Sequence, residues 1–205
     1  MKYLKRMSIK KVGIFLFENV ELLDFAGPYE VFSVTNELNE FKLFRTFTIS
    51  EDGEAVKTVN GLRVFADYSV NNCPLIDILI IPGGAGARRV LNNIKMLKWV
   101  KESFENSEIT FSVCSGAMIL GKTGILDNKE YTTHHEVLDD MKKIAPKAIL
   151  TKEKRFVDNG KLLTSGGISA GIDLSLYLVE KLHGKTVKEK TVVYMEYNDW
   201  RKVMR

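Results

Sequence analysis

Short apolar runs alternate along the chain with segments of helical period. Val12 to Phe17 is β-rich and nearly all apolar, the pattern of a strand covered on both faces. Asp24 then opens a helical stretch through Tyr29–Phe32, and Pro28 suits the first helical turn, where its missing N–H costs little. Leu43–Ser50 reads as a second strand with a turn at Glu51–Gly53. Leu62–Ala66 reads as a short strand, and Asp77–Ile81 as a buried one that Pro82-Gly-Gly84 ends abruptly. The spacing predicts one amphipathic helix from about Arg88 to Phe104, with Val90, Ile94, Leu97, Val100 and Phe104 on one face.

Glu108–Val113 is the next strand; Cys114-Ser-Gly116 breaks it, and a helix runs through Met118–Gly121. Ile149-Leu150, Phe156-Val157 and Leu162-Leu163 are shorter strands, the last two flanking an Asp158-Asn-Gly160 hairpin turn. Ile172, Leu176, Val179 and Leu182 mark a late helix that Gly184 ends, and a last helix starts after Thr186 with Val192 and Met195. Strands alternating with helices predict a single-domain α/β sandwich, flavodoxin-like, with a mostly parallel sheet and helices on both faces. No repeat, low-complexity segment or long linker divides the chain.

Composition narrows the picture. The 205 residues, 45% of them hydrophobic, suffice for one sizeable core. The net charge of +4 is spread thinly, unlike the concentrated basic element of a nucleic-acid binder. Its densest basic stretch, Lys2, Lys5, Arg6, Lys10 and Lys11, reads as a solvated extension over residues 1–10, leaving 11–205 as the domain. Val12–Phe17 is too short for a signal-peptide core or a bilayer span. Two cysteines, Cys73 and Cys114, form no disulfide framework and fit a reduced, cytoplasmic setting. Cys73, before Pro74 in a loop, reads as structural. His134 and His135 are adjacent and share no helix face, so no metal constellation appears, and no phosphate loop follows the first strand. Neither metal nor cofactor is expected, and no nucleic-acid or membrane partner.

The sharpest local feature is Ile109-Thr-Phe-Ser-Val-Cys114-Ser-Gly-Ala-Met118. A buried strand stops, a reactive side chain appears among small neighbours, and a helix begins, as at a nucleophile elbow. The serine elbow has glycine two residues before the nucleophile, where this chain has Ser112; Gly116 occupies the position two after. A helix N-terminus stabilises a thiolate, so a lowered Cys114 pKa is expected. The competing reading is a small buried apolar residue. Asp24, beyond the end of the first strand, is either a plain N-cap or a carboxylate that reaches the thiol. Gly83 and Gly84 form either an ordinary tight turn or, through the N–H of Gly84 with that of Ser115, an oxyanion hole.

Asp24–Phe32, Ile80–Gly84, Val113–Ala117, Thr132-Thr-His134 and Ser165–Asp173 follow the same order as in the DJ-1/PfpI (ThiJ) superfamily, which the chain resembles over nearly its whole length. The Asp-x-x-Gly-Pro and Gly-Gly-Ile-x-Ala-Gly-Ile-Asp segments are most similar to the isonitrile hydratase branch. The resemblance implies that Cys114 is the nucleophile, that Asp24 is its acidic partner, and that Gly83, Gly84 and Ser115 line the oxyanion and substrate site. It places His134 either near the cysteine or in a structural role. It also implies a homodimer acting on a small molecule. Ser115 stands where the hydratase pattern has Thr, keeping the hydroxyl. The absence of His after Cys114 argues against peptidase chemistry. The end at Arg205 leaves no room for the helix-turn-helix module of regulatory relatives.

The expected activity is cofactor-free hydration of an isonitrile to an N-substituted formamide through a Cys114 thioimidate. Its alternatives are a DJ-1-like glyoxalase and a non-enzymatic oxidative-stress sensor using the same cysteine.

Overall fold

The computed structural model of the protein describes residues 8–203; Lys2, Lys5 and Arg6 of the basic extension lie outside the described residues. The first half runs β1 (Lys10–Phe15), α1 (Leu22–Glu37), β2 (Phe44–Ser50), β3 (Val56–Lys57), β4 (Arg63–Val64), β5 (Tyr68–Ser69), β6 (Ile78–Ile81), α2 (Ala87–Val90) and α3 (Ile94–Asn106). The second runs β7 (Ile109–Ser112), α4 (Gly116–Lys122), β8 (Glu130–Tyr131), α5 (Leu138–Ile144), β9 (Ile149–Leu150), β10 (Phe156–Asn159), β11 (Leu162–Ser165), α6 (Ala170–His183) and α7 (Lys185–Tyr194).

Seven strands form the central sheet in the order β10-β11-β7-β6-β1-β2-β5, parallel throughout except for the β10–β11 hairpin. Helices cover both faces of this flavodoxin-like sandwich. One layer holds α1, α6 and α7, the other α2 to α5. The central strands read as continuous apolar runs because both faces are covered: Ile14, Leu79, Ile80, Ile81 and Phe111 are all sealed from solvent.

Chain order runs outward from β1 to β2, then reverses through β6 on the other side. Such a reversal opens a crevice at the carboxyl ends of the strands. The segments leaving β1, β6, β7 and β11 meet there. Glu21 N–H donates to Gly83 C=O at 2.9 Å, and Cys114 N–H to Gly166 C=O at 3.1 Å.

The structure corrects three expectations. The helix expected over Arg88–Phe104 is two helices, because Asn93 caps a fresh start by accepting the Met96 N–H. The restart puts Ile94 outside, 82% exposed, while Met96 and Val100 are buried. The helix expected from Asp24 begins at Leu22, so Asp24 is inside its first turn rather than capping it. Pro28 therefore falls in the second turn, where its ring removes the helix bond to the Asp24 C=O. The last helix starts at Lys185, directly after Gly184.

Among the described residues no helix is long and apolar enough to cross a membrane. None of their His, Cys, Asp and Glu residues cluster in threes to hold a metal ion.

Candidate active site

Cys114 occupies the turn between β7 and α4 with φ of 58°. A non-glycine residue in the left-handed region costs about 1 kcal/mol or more and persists only where neighbours impose it. Here they do. Val113 N–H donates to Ile81 C=O at 3.0 Å, Cys114 N–H to Gly166 C=O, and the Thr133 hydroxyl to Cys114 C=O at 2.7 Å. The turn has the shape of a nucleophile elbow, and Cys114 is 7% exposed.

Asp24 is completely buried, and its carboxylate accepts two backbone hydrogen bonds. Oδ2 takes the Gly83 N–H at 2.9 Å and Oδ1 the Ile168 N–H at 3.0 Å. The Cys114 thiol lies within hydrogen-bonding reach of the same carboxylate. Asp24 therefore does not cap α1; its carboxylate lies against Gly83 and Ile168. Burial pushes its carboxyl up to about 6, against the opposing pull of the Gly83, Ile168 and Cys114 bonds.

The thiol moves opposite to expectation. Burial first, and then the Asp24 charge, push Cys114 up to about 12, and the backbone and hydroxyl of Ser115 only partly offset this. The pull of a seven-residue helix is too weak to win. At neutral pH the resting pair is thus a carboxylate beside a thiol.

The glycine turn after β6 fits closely. A Cβ on Gly83 would lie 2.6 Å from both Ser115 N and Ser115 Oγ. Gly84 has φ of 124°, and a Cβ there would meet Glu21 N at 2.4 Å. The expected oxyanion hole is only half present. Gly84 N–H donates to Ser115 Oγ at 2.9 Å and Gly83 N–H to Asp24, whereas Ser115 N–H points at the sulfur. Ser115 thus links the glycine turn to the elbow.

His134 packs on the glycine turn after β11. Its ring lies over Gly167, with Cδ2 2.2 Å from where a Cβ would be, and its Nδ1 accepts the Glu136 N–H at 3.3 Å. The Thr132–His134 segment touches the elbow through Thr133 instead. Sequence reasoning also missed Ile168, a β-branched residue with φ of 54° whose N–H fixes Asp24. The signal was the Gly166-Gly167 pair at a strand end.

With this geometry in place, the chain was compared with known proteins. Residues 10–181 match the DJ-1/PfpI family. The chain belongs to that family. It is 30% identical over 190 residues to isonitrile hydratase of Pseudomonas putida, covering 91% of this chain and 78% of the relative. It is 27% identical to the HTH-type transcriptional regulator GbdR of Pseudomonas aeruginosa over 86% of its own length, and spans about half, 47%, of that regulator. Among solved structures, a ThiJ/PfpI family protein from Pseudomonas syringae superposes with a TM-score of 0.85 at 24% identity, covering 97% of this chain and 79% of that one. The family fold therefore underlies a hydratase and a regulator alike.

Proposed function

We propose that this DJ-1/PfpI protein is a cysteine-dependent enzyme that hydrates a small isonitrile to an N-substituted formamide. The observation that carries this reading is the pairing of Asp24, fixed by two N–H groups and bearing a pKa of about 6, with the protonated thiol of Cys114. Isonitrile addition needs a nucleophile that gives up a proton and a nearby base that returns it to carbon.

As sulfur attacks the terminal isonitrile carbon, the S–H bond breaks and its proton passes to Asp24. Asp24 then protonates that carbon, leaving an S-linked thioimidate, RN=CH–S. A water, deprotonated by Asp24, adds to the thioimidate carbon. Collapse expels the thiolate, the nitrogen gains a proton, and Cys114 recovers its own. The net change is isonitrile plus water to formamide. The Ser115 N–H, aimed at the sulfur, stabilises it as attacking and leaving group.

The test incubates the protein with a small alkyl isonitrile and follows the formyl proton by NMR. Turnover that vanishes in Cys114→Ala supports the reading. Absence of formamide from protein whose Cys114 still reacts with alkylating agents rejects it, and lactate formed from methylglyoxal would assign the glyoxalase alternative.

A further inference from the structure

The Ile168 N–H reaches Asp24 only because the turn between β11 and α6 takes an unfavourable shape, with a β-branched residue in the left-handed region. That turn is gripped from outside by Arg155, the residue before β10. The Arg155 C=O accepts the Gly166 N–H at 2.9 Å, extending the β10–β11 ladder by one step. Its guanidinium donates to Ser169 Oγ at 3.2 Å and makes a two-point contact with Asp173 in the first turn of α6. Asp173 is held from its other side by the Tyr197 hydroxyl at 2.9 Å. Ser169 directly follows Ile168, so the guanidinium clamps the residue next to the one that serves Asp24.

We propose that Arg155 is a positioning residue, whose fork onto Ser169 and Asp173 fixes the 166–170 turn so that the Ile168 N–H stays on Asp24 Oδ1. The role rests on the Asp24–Cys114 pairing of the proposed function, not on the isonitrile. Arg155 does not approach the reacting atoms; it acts by holding a donor in place. A carboxylate that loses one of two backbone donors binds its proton more tightly. The groups facing Asp24 are the Cys114 thiol from the elbow and Glu21 from the β1–α1 connection, with His134 beneath Gly167 and the Arg155–Asp173 pair behind the turn.

The test follows the Asp24 carboxyl directly, by carbon-13 NMR titration of protein labelled at aspartate, assigned by the signal lost in Asp24→Asn. It needs no substrate, so failure of isonitrile turnover leaves it intact. Three variants separate geometry from charge. Arg155→Gln removes both, Arg155→Lys keeps the charge but loses the fork, and Ser169→Ala breaks one contact without altering charge. The expected result is an upward move of the Asp24 midpoint by roughly one pH unit in Arg155→Gln, and a smaller move in the same direction in the other two. Lys154→Gln, next door on an exposed ion pair to Glu130, leaves it unmoved. A midpoint that moves only in Arg155→Gln assigns the effect to charge and overturns the proposal, as does a midpoint unmoved in all three. Should Arg155→Gln not fold, Arg155→Lys and Ser169→Ala decide: a shift supports the clamp and none overturns it.

Discussion

A carboxyl sealed from solvent at Asp24 resists ionisation, and two backbone donors only partly relieve it. It binds its proton more tightly folded than unfolded, so its contribution to stability is greatest below pH 3.8 and declines as pH rises to about 6. Urea unfolding at pH 4 and pH 7 will show the native protein losing about 2 kcal/mol relative to Asp24→Asn over that interval. The same substitution removes the base of the proposed mechanism, which predicts that isonitrile turnover at pH 7 falls by about 10²–10⁴, measured as kcat/KM. If the proposed mechanism holds, the acid limb of the activity profile is expected near pH 6, where Asp24 gains its proton. The candidate pair itself was legible from the sequence, because a reactive residue at a strand-to-helix break and an acid beyond another strand end are local signals. The direction of the thiol's shift was not, since it depends on burial and on a charge supplied 90 residues away in the chain.

Between elements, small changes of phase decide which side chains are buried. The apolar period runs on from Val90 to Phe104 only when the cap at Asn93 is overlooked, and with it the restart of the helix. Two substitutions two positions apart check the phase. Met96→Ala empties a sealed site and costs about 2–5 kcal/mol, while Ile94→Lys at an exposed one stays within about 0.5 kcal/mol, both by urea denaturation. The start of α4 tolerates less. A Cβ on Gly116 would lie 2.1 Å from the Ile81 C=O, a backbone atom that cannot yield without moving β6. Gly116→Ala is therefore expected to lower stability by about 1–3 kcal/mol and to disturb the elbow it follows. The apolar runs of β1, β6 and β7 were legible because burial on both faces leaves a plain sequence mark. The two-residue β3, β5 and β8 leave almost none.

At the scale of the whole molecule, the site is a property of the sheet order. Asp24, Gly83, Cys114 and Ile168 come from four segments scattered along the chain, and they meet because β1, β6, β7 and β11 are consecutive neighbours. No local pattern states that order, which is why the reach of Ile168 to Asp24 went unread. Its consequence is that the site has no stability of its own. Whatever separates these strands also returns the Cys114 thiol from about 12 to the ordinary thiol range near 9. At pH 7.5 this raises the thiolate fraction about a thousandfold, on top of the gain in access. Alkylation of Cys114, resolved from Cys73 by peptide mass spectrometry, is thus a probe of sheet integrity. Its urea midpoint is expected to coincide with that of far-UV circular dichroism. A chain of this length need not unfold in one step, so coincidence is a real test. Alkylation complete well before the circular dichroism changes would mean that the four segments separate while the strands still pair, and that the site is held by its loops rather than by the sheet beneath them.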